Sequence, residues 1–171
     1  SENVKSKAWA MEDAYLEVEW EGKIGWLYGG YVCRLPTPQR EYFSSEEWLM
    51  EISGKPDTVM HSVRLPDLAG RTTLFRYADG ITRIESMGES WGSTTITIPL
   101  ISFNDGVLIA DKLYGLTKTI EEARKGERDV DMEPSVLEQI DQDYLLFTDE
   151  LSRVEIRRVG NVVVITSEGG C

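Results

Sequence analysis

One histidine, two cysteines and thirty Asp and Glu residues make up the reactive inventory of this 171-residue chain. General-base catalysis, zinc ligation and the activation of serine or cysteine nucleophiles commonly draw on an imidazole. His61 is the only one, and no catalytic motif flanks it, so a hydrolytic constellation would have to bring it to Cys33 or to a distant serine. A two-histidine zinc site is excluded within one chain. The carboxylate pairs Glu46-Glu47, Glu121-Glu122 and Asp149-Glu150 are adjacent in sequence, and adjacent helical positions do not face one another. They read as surface carboxylates rather than acid–base couples. Asp129-Val-Asp131-Met-Glu133 has the oxygen alternation that hard cations favour, without the glycine and distant bidentate Glu of a calcium hand. There is no GxGxxG, GxxxxGK[ST], GxSxG or CxxC. The chain therefore reads as non-catalytic, with no cofactor and no metal.

Aromatic residues are the second kind of candidate. Trp9, Tyr15, Trp20, Trp26, Tyr28 and Tyr31 all fall within the first 32 positions. Exposed indole and phenol rings stack on sugars or peptides, because they offer a large rigid face and a polar handle. Trp20, Tyr28 and Tyr31 are the candidate ligand-binding residues. Trp26 and Val18 are expected to fill the thin core of a small β-structure.

Composition limits what such residues could serve. Hydrophobic residues make up 41% and aromatics 9%, too apolar for a disordered chain. The net charge of −12 argues against a protein that grips nucleic-acid phosphates. No window approaches the 18 or so consecutive apolar residues of a transmembrane helix. Residues 119–152 carry eleven acids against three bases, a local charge of −8. That stretch reads as a solvated helical face, with docking of an Arg-rich partner as the functional alternative. Cys33 and Cys171 allow one disulfide, two free thiols or an intermolecular bond.

Local patterns then place the elements. Tyr15-Leu-Glu-Val-Glu-Trp20 alternates with the period of a half-buried strand, and Ile24 to Tyr28 returns after the Glu21-Gly22-Lys23 turn. Pro36 and Pro38 mark a linker over 33–44. Ser44-Ser-Glu-Glu47 has capping-box spacing, predicting a helix over 45–53 that Gly54 and Pro56 stop. Strands are expected at Val59–Leu65, Thr72–Tyr77, Ile81–Met87, Thr94–Phe103 and Val107–Lys118, with turns at Asp79-Gly80 and Asn104-Asp105-Gly106. Pro99 inside the fourth predicts an edge strand or a bulge. Ile120–Lys125 and Pro134–Gln142 read as helices; Tyr144–Phe147, Arg153–Arg158 and Val162–Thr166 read as strands. Short connections make the strands an antiparallel meander. The fold class is α+β, mostly β: a hairpin, then a curved antiparallel sheet with short flanking helices over 45–171.

The hairpin carries a resemblance. Gly22-Lys23, Gly25-Trp26-Leu27 and Tyr31-Val32, within Tyr15 to Val32, resemble the C-terminal half of a bacterial SH3-like domain. Residues 1–32 would then be a partial SH3-like region, in which the hairpin is preceded by fewer residues than a complete barrel of that family needs. The resemblance implies a periplasmic or cell-surface protein, possible lipid anchoring through a removed N-terminal segment, and a cell-wall or protein ligand. Phe75-Arg-Tyr-Ala-Asp-Gly80 followed by Ile81-Thr-Arg-Ile84 resembles the sheet domains of poorly characterised bacterial envelope proteins. The competing expectation is a small-molecule carrier whose curved sheet closes on an apolar pocket.

Overall fold

A computed structural model describes residues 4–5, 12–13, 15–28, 33, 35–38, 44–61, 70–125 and 136–170. Two short strand pairs come first: β1 (Val4–Lys5) with β2 (Glu12–Asp13), and β3 (Tyr15–Trp20) with β4 (Lys23–Tyr28). The second pair is the hairpin that its alternation predicts. Glu21 at φ 50° and Gly22 at φ 73° form the turn, and two successive left-handed residues match the twist of the strands they join. Tyr15 lies opposite Tyr28, and Trp20 opposite Lys23.

The helix α1 (Ser45–Ser53) starts where the sequence predicts, with Ser44 Oγ accepting the Glu47 N–H at 3.2 Å. It buries Trp48 and Leu49. The Trp48 Nε1–H donates to the Pro36 carbonyl at 2.7 Å, and Cys33 and Leu35 pack on the same core. The proline-bearing segment is thereby fastened to the sheet's core.

Eight antiparallel strands form the main sheet. β5 (Thr58–His61), β6 (Gly70–Arg76), β7 (Thr82–Gly88) and β8 (Trp91–Pro99) make one meander. After α2 (Phe103–Tyr114) and α3 (Leu116–Lys125), β9 (Val136–Asp141), β10 (Tyr144–Thr148), β11 (Ser152–Val159) and β12 (Val162–Gly170) make the other. The order β5-β6-β7-β8-β12-β11-β10-β9 joins the two meanders through their last strands. The protein is mostly β, with an antiparallel sheet and short helices. Among the described residues, no helix is long and apolar enough to cross a membrane.

Four expectations change. Val107–Lys118 is helical, not a strand. Ser102 Oγ accepts the Asp105 N–H at 3.1 Å and Asp105 accepts the Ser102 N–H at 2.9 Å, so Asn104-Asp105-Gly106 is a helical first turn rather than a hairpin turn. Phe103, Val107, Ala110 and Tyr114 recur at helical spacing there, and the β-branched Val107 and Ile109 had masked that period. In place of the helix Pro134–Gln142 stands β9, at Val136–Asp141, with Pro134 itself outside the described residues. A Gln142-Asp143 turn, tied by Asp141 Oδ1 to the Asp143 N–H at 2.7 Å, lets β9 pair with β10. The −8 segment is therefore not one helical face. Pro99, finally, ends a central strand: the β7 ladder stops at Thr97, so β7 asks no N–H of residue 99.

One sheet face holds the core. Ile96, Ile165, Ile156 and Leu145 form a cross-strand row, flanked by Ile98 and Val163 and by Val154 and Phe147. α2 covers this face with Phe103, Val107 and Ala110. Each such fully buried large side chain contributes about 1.5–3 kcal/mol. The opposite face is half-exposed and rich in hydroxyls, with Thr95 and Thr166 3.2 Å apart and Thr72 and Ser86 3.1 Å apart.

Candidate functional site

Of the candidate binding residues, Trp20 ends β3 and Tyr28 ends β4. Register puts Tyr28 in line with Trp26, Ile24, Glu17 and Glu19, and puts Trp20 on the other face with Leu27 and Lys23. The side chains of Trp20 and Tyr28, and all of Tyr31, lie outside the described residues. Trp26, expected in a core, is instead 66% exposed, beside Ile24 at 70%. Two strands alone enclose no interior, and that signal was available in the sequence.

The second concentration of chemistry lies inside the sheet domain and centres on Arg83, which is only 1% exposed. Its register neighbours are Phe75 on β6 and Ile96 on β8. The guanidinium lies 4.2 Å from the centroid of the Phe75 ring, a cation–π contact. Nη1 pairs with Glu85 at 2.9 Å, and Nη2 with Glu46 of the first turn of α1 at 3.4 Å. The long second contact does not have hydrogen-bond geometry. Arg83 Nε and Nη2 and the Tyr77 and Tyr114 hydroxyls are buried without a hydrogen-bond partner among the described residues.

Electrostatics limit what this cluster can do. Burial raises the Tyr77 hydroxyl pKa while the Arg83 charge pulls it down, and burial pushes Tyr114 up to about 12, with Ser167 and Arg83 opposing. Both phenols stay protonated as donors at neutral pH. Two carboxylates outweigh one guanidinium, which disfavours an incoming anion. The arrangement pins α1 to β7 rather than offering a reaction centre. Sequence reading missed it because alternation alone would turn Ile84 inward, whereas Ile84 is 37% exposed and Arg83 is buried.

Comparison with protein-family models, with curated proteins and with solved structures yields no match.

The remaining candidates take their places singly. His61 stands on the exposed strand β5, where its Nδ1 accepts from Arg71 Nη2 at 2.6 Å and lies 3.2 Å from Thr73 Oγ1. Asp129, Asp131, Glu133 and Cys171 lie outside the described residues. Cys33 is a free, half-buried thiol whose Sγ–H points to the Asp105 carbonyl at 3.9 Å. Burial pushes its pKa up to about 11. In a Cys171→Ser background, iodoacetamide at pH 8 should label native Cys33 roughly 100-fold more slowly than the urea-unfolded chain, since the thiolate is the nucleophile. Equal rates would remove the burial argument. A raised thiol pKa means this contribution to stability is intact below about pH 9 and is lost as pH climbs towards 11.

Proposed function

We propose that the protein is a non-catalytic binding protein of the bacterial cell envelope, periplasmic or cell-surface, that engages a cell-wall or protein ligand through an SH3-like hairpin. The observation behind this reading is the outward display of Trp26 and Ile24, 66% and 70% exposed on one face of β4. A rigid ring held in water on a tight ribbon loses little conformational freedom when it stacks on a ligand. Glu17 and Glu19, exposed across the ribbon on the same face, add acceptors for ligand hydroxyls, amides or ammonium groups. The carrier alternative has no such support, since the face beneath α2 is filled by Ile96, Ile156 and Ile165.

Co-sedimentation with purified peptidoglycan tests the reading. The full chain should sediment, and Trp20→Ala, Tyr28→Ala and Trp26→Ala should include at least one variant weakened roughly 30-fold, as a binding hot spot is. A full chain that stays in the supernatant, or three variants that sediment like the parent, would overturn the cell-wall form.

A further inference from the structure

The sheet carries a second surface that the hairpin reading does not use. Where β8 and β11 begin and β10 and β12 end, a cleft of about 440 Å³ opens to solvent, within the size range of ligand sites. Trp91, Asp149, Glu150, Leu151, Arg153 and Glu168 contribute to its lining. Trp91 is 51% exposed, yet held in place. Its indole lies across Gly88 so closely that a Cβ there would overlap it, and its Cζ2 is 3.8 Å from where a Cβ on Gly70 would stand. Gly88 thus clears a bed for the ring, with half of the ring left uncovered.

Charge decides what that ring can receive. Three carboxylates stand around the cleft against one guanidinium, and Arg153 is already engaged by Glu155 at 3.5 Å while facing Glu168 across the ladder. Asp149 turns one oxygen to the Glu150 N–H at 2.7 Å, which leaves Glu150 and Glu168, both exposed, as the groups able to meet a cation. Leu151, 63% exposed, offers apolar surface for an aliphatic stem. An aromatic face beside carboxylates attracts an ammonium or guanidinium group, whose charge the ring quadrupole and the carboxylates both favour.

We propose that this cleft is a docking site for a basic polypeptide segment, taking one lysine or arginine side chain over Trp91 with its charge on Glu168 and Glu150. The net charge of −12 steers such a segment towards the protein from a distance. Because the cleft is open along the surface rather than closed over, it admits a side chain still attached to a chain.

The test is a titration of the full-length ¹⁵N-labelled protein with capped tripeptides Gly-Lys-Gly and Gly-Arg-Gly, against Gly-norleucine-Gly and Gly-Glu-Gly. The expected result is a saturable shift of the Trp91 indole N–H and of the Gly169 and Gly170 amides with the two cationic peptides alone. Glu168→Gln and Trp91→Ala should each weaken it about tenfold, Trp91→Phe should restore part of the loss, and raising salt from 15 to 150 mM should weaken it further. Glu168→Gln changes an exposed side chain only, so it keeps the test valid if Trp91→Ala disturbs the glycine bed. Equal shifts with the norleucine or glutamate peptide, no shift with either cationic peptide, or binding unchanged in Glu168→Gln would overturn the proposal. Methylammonium binding as tightly as the peptides would also overturn it, assigning the cleft to a small cation. Trp26→Ala should leave these shifts intact, so failure here and failure of the hairpin reading are told apart.

Discussion

Arg83→Ala is expected to destabilise the fold by about 3 kcal/mol, the lower end of the range for breaking a buried ion pair, and to lower the melting temperature by roughly 10 °C. Three losses act together. The Glu85 and Glu46 carboxylates lose their partner, the Phe75 ring loses the cation over its face, and the vacated guanidinium space becomes a cavity. The value sits at the lower end because Glu46 and Glu85 are 50% and 32% exposed, so water can replace part of what they lose. Arg83→Met, which keeps the stem volume, should recover at least half of the loss. Arg83→Met combined with Glu46→Gln and Glu85→Gln should come closer still to the parent. Urea unfolding followed by circular dichroism gives each value. If Arg83→Ala shifts the midpoint no more than Glu46→Gln does, the pin between α1 and β7 is not what holds that helix.

Gly106→Val is the second large effect. Gly106 sits in the first turn of α2, where the helix comes down on β12 and β11: a Cβ there would overlap Val163 Cγ1 and lie 3.6 Å from Ile156 Cγ2. On helix propensity alone, replacing glycine by alanine would stabilise by up to about 1 kcal/mol. The overlap works the other way, because lifting α2 off the sheet loosens Phe103, Val107 and Ala110 against the isoleucine row. We expect Gly106→Ala to destabilise by about 1–2 kcal/mol and Gly106→Val by about 3 kcal/mol or more. Val163→Ala should cost stability on its own yet reduce the penalty of Gly106→Ala, a coupling that a double-mutant cycle reads directly. Simple additivity would mean the helix adjusts elsewhere and that the close approach does not limit packing.

Legibility followed the range of the interaction. The β3–β4 turn, the Ser44 cap and the Asp79-Gly80 turn depend on residues within a few positions, and each stands where its pattern predicts. The capping box Ser102/Asp105 was as local, but a glycine after Asn-Asp resembled a hairpin turn, and Val107 and Ile109 resembled a strand. For Val136–Asp141 the competing readings were close, and pairing with β10 settled it. Of the candidate site, the aromatic hairpin was visible from its spacing. Arg83 was not, because it matters through a ring and carboxylates brought alongside by another strand and a helix, and Trp91 was not, because the acids that line its cleft come from distant strands and turns.

By itself the sequence determined the antiparallel character, the hairpin, the first helix and the strong negative charge, all of which follow from short-range spacing and composition. Only the tertiary structure decided that β8 joins β12, that Arg83 turns inward while Ile84 turns out, and that Trp91 lines one cleft with Glu168 and Glu150. The physical reason is that alternation divides a strand into two faces without naming the buried one. That choice belongs to whatever packs across it.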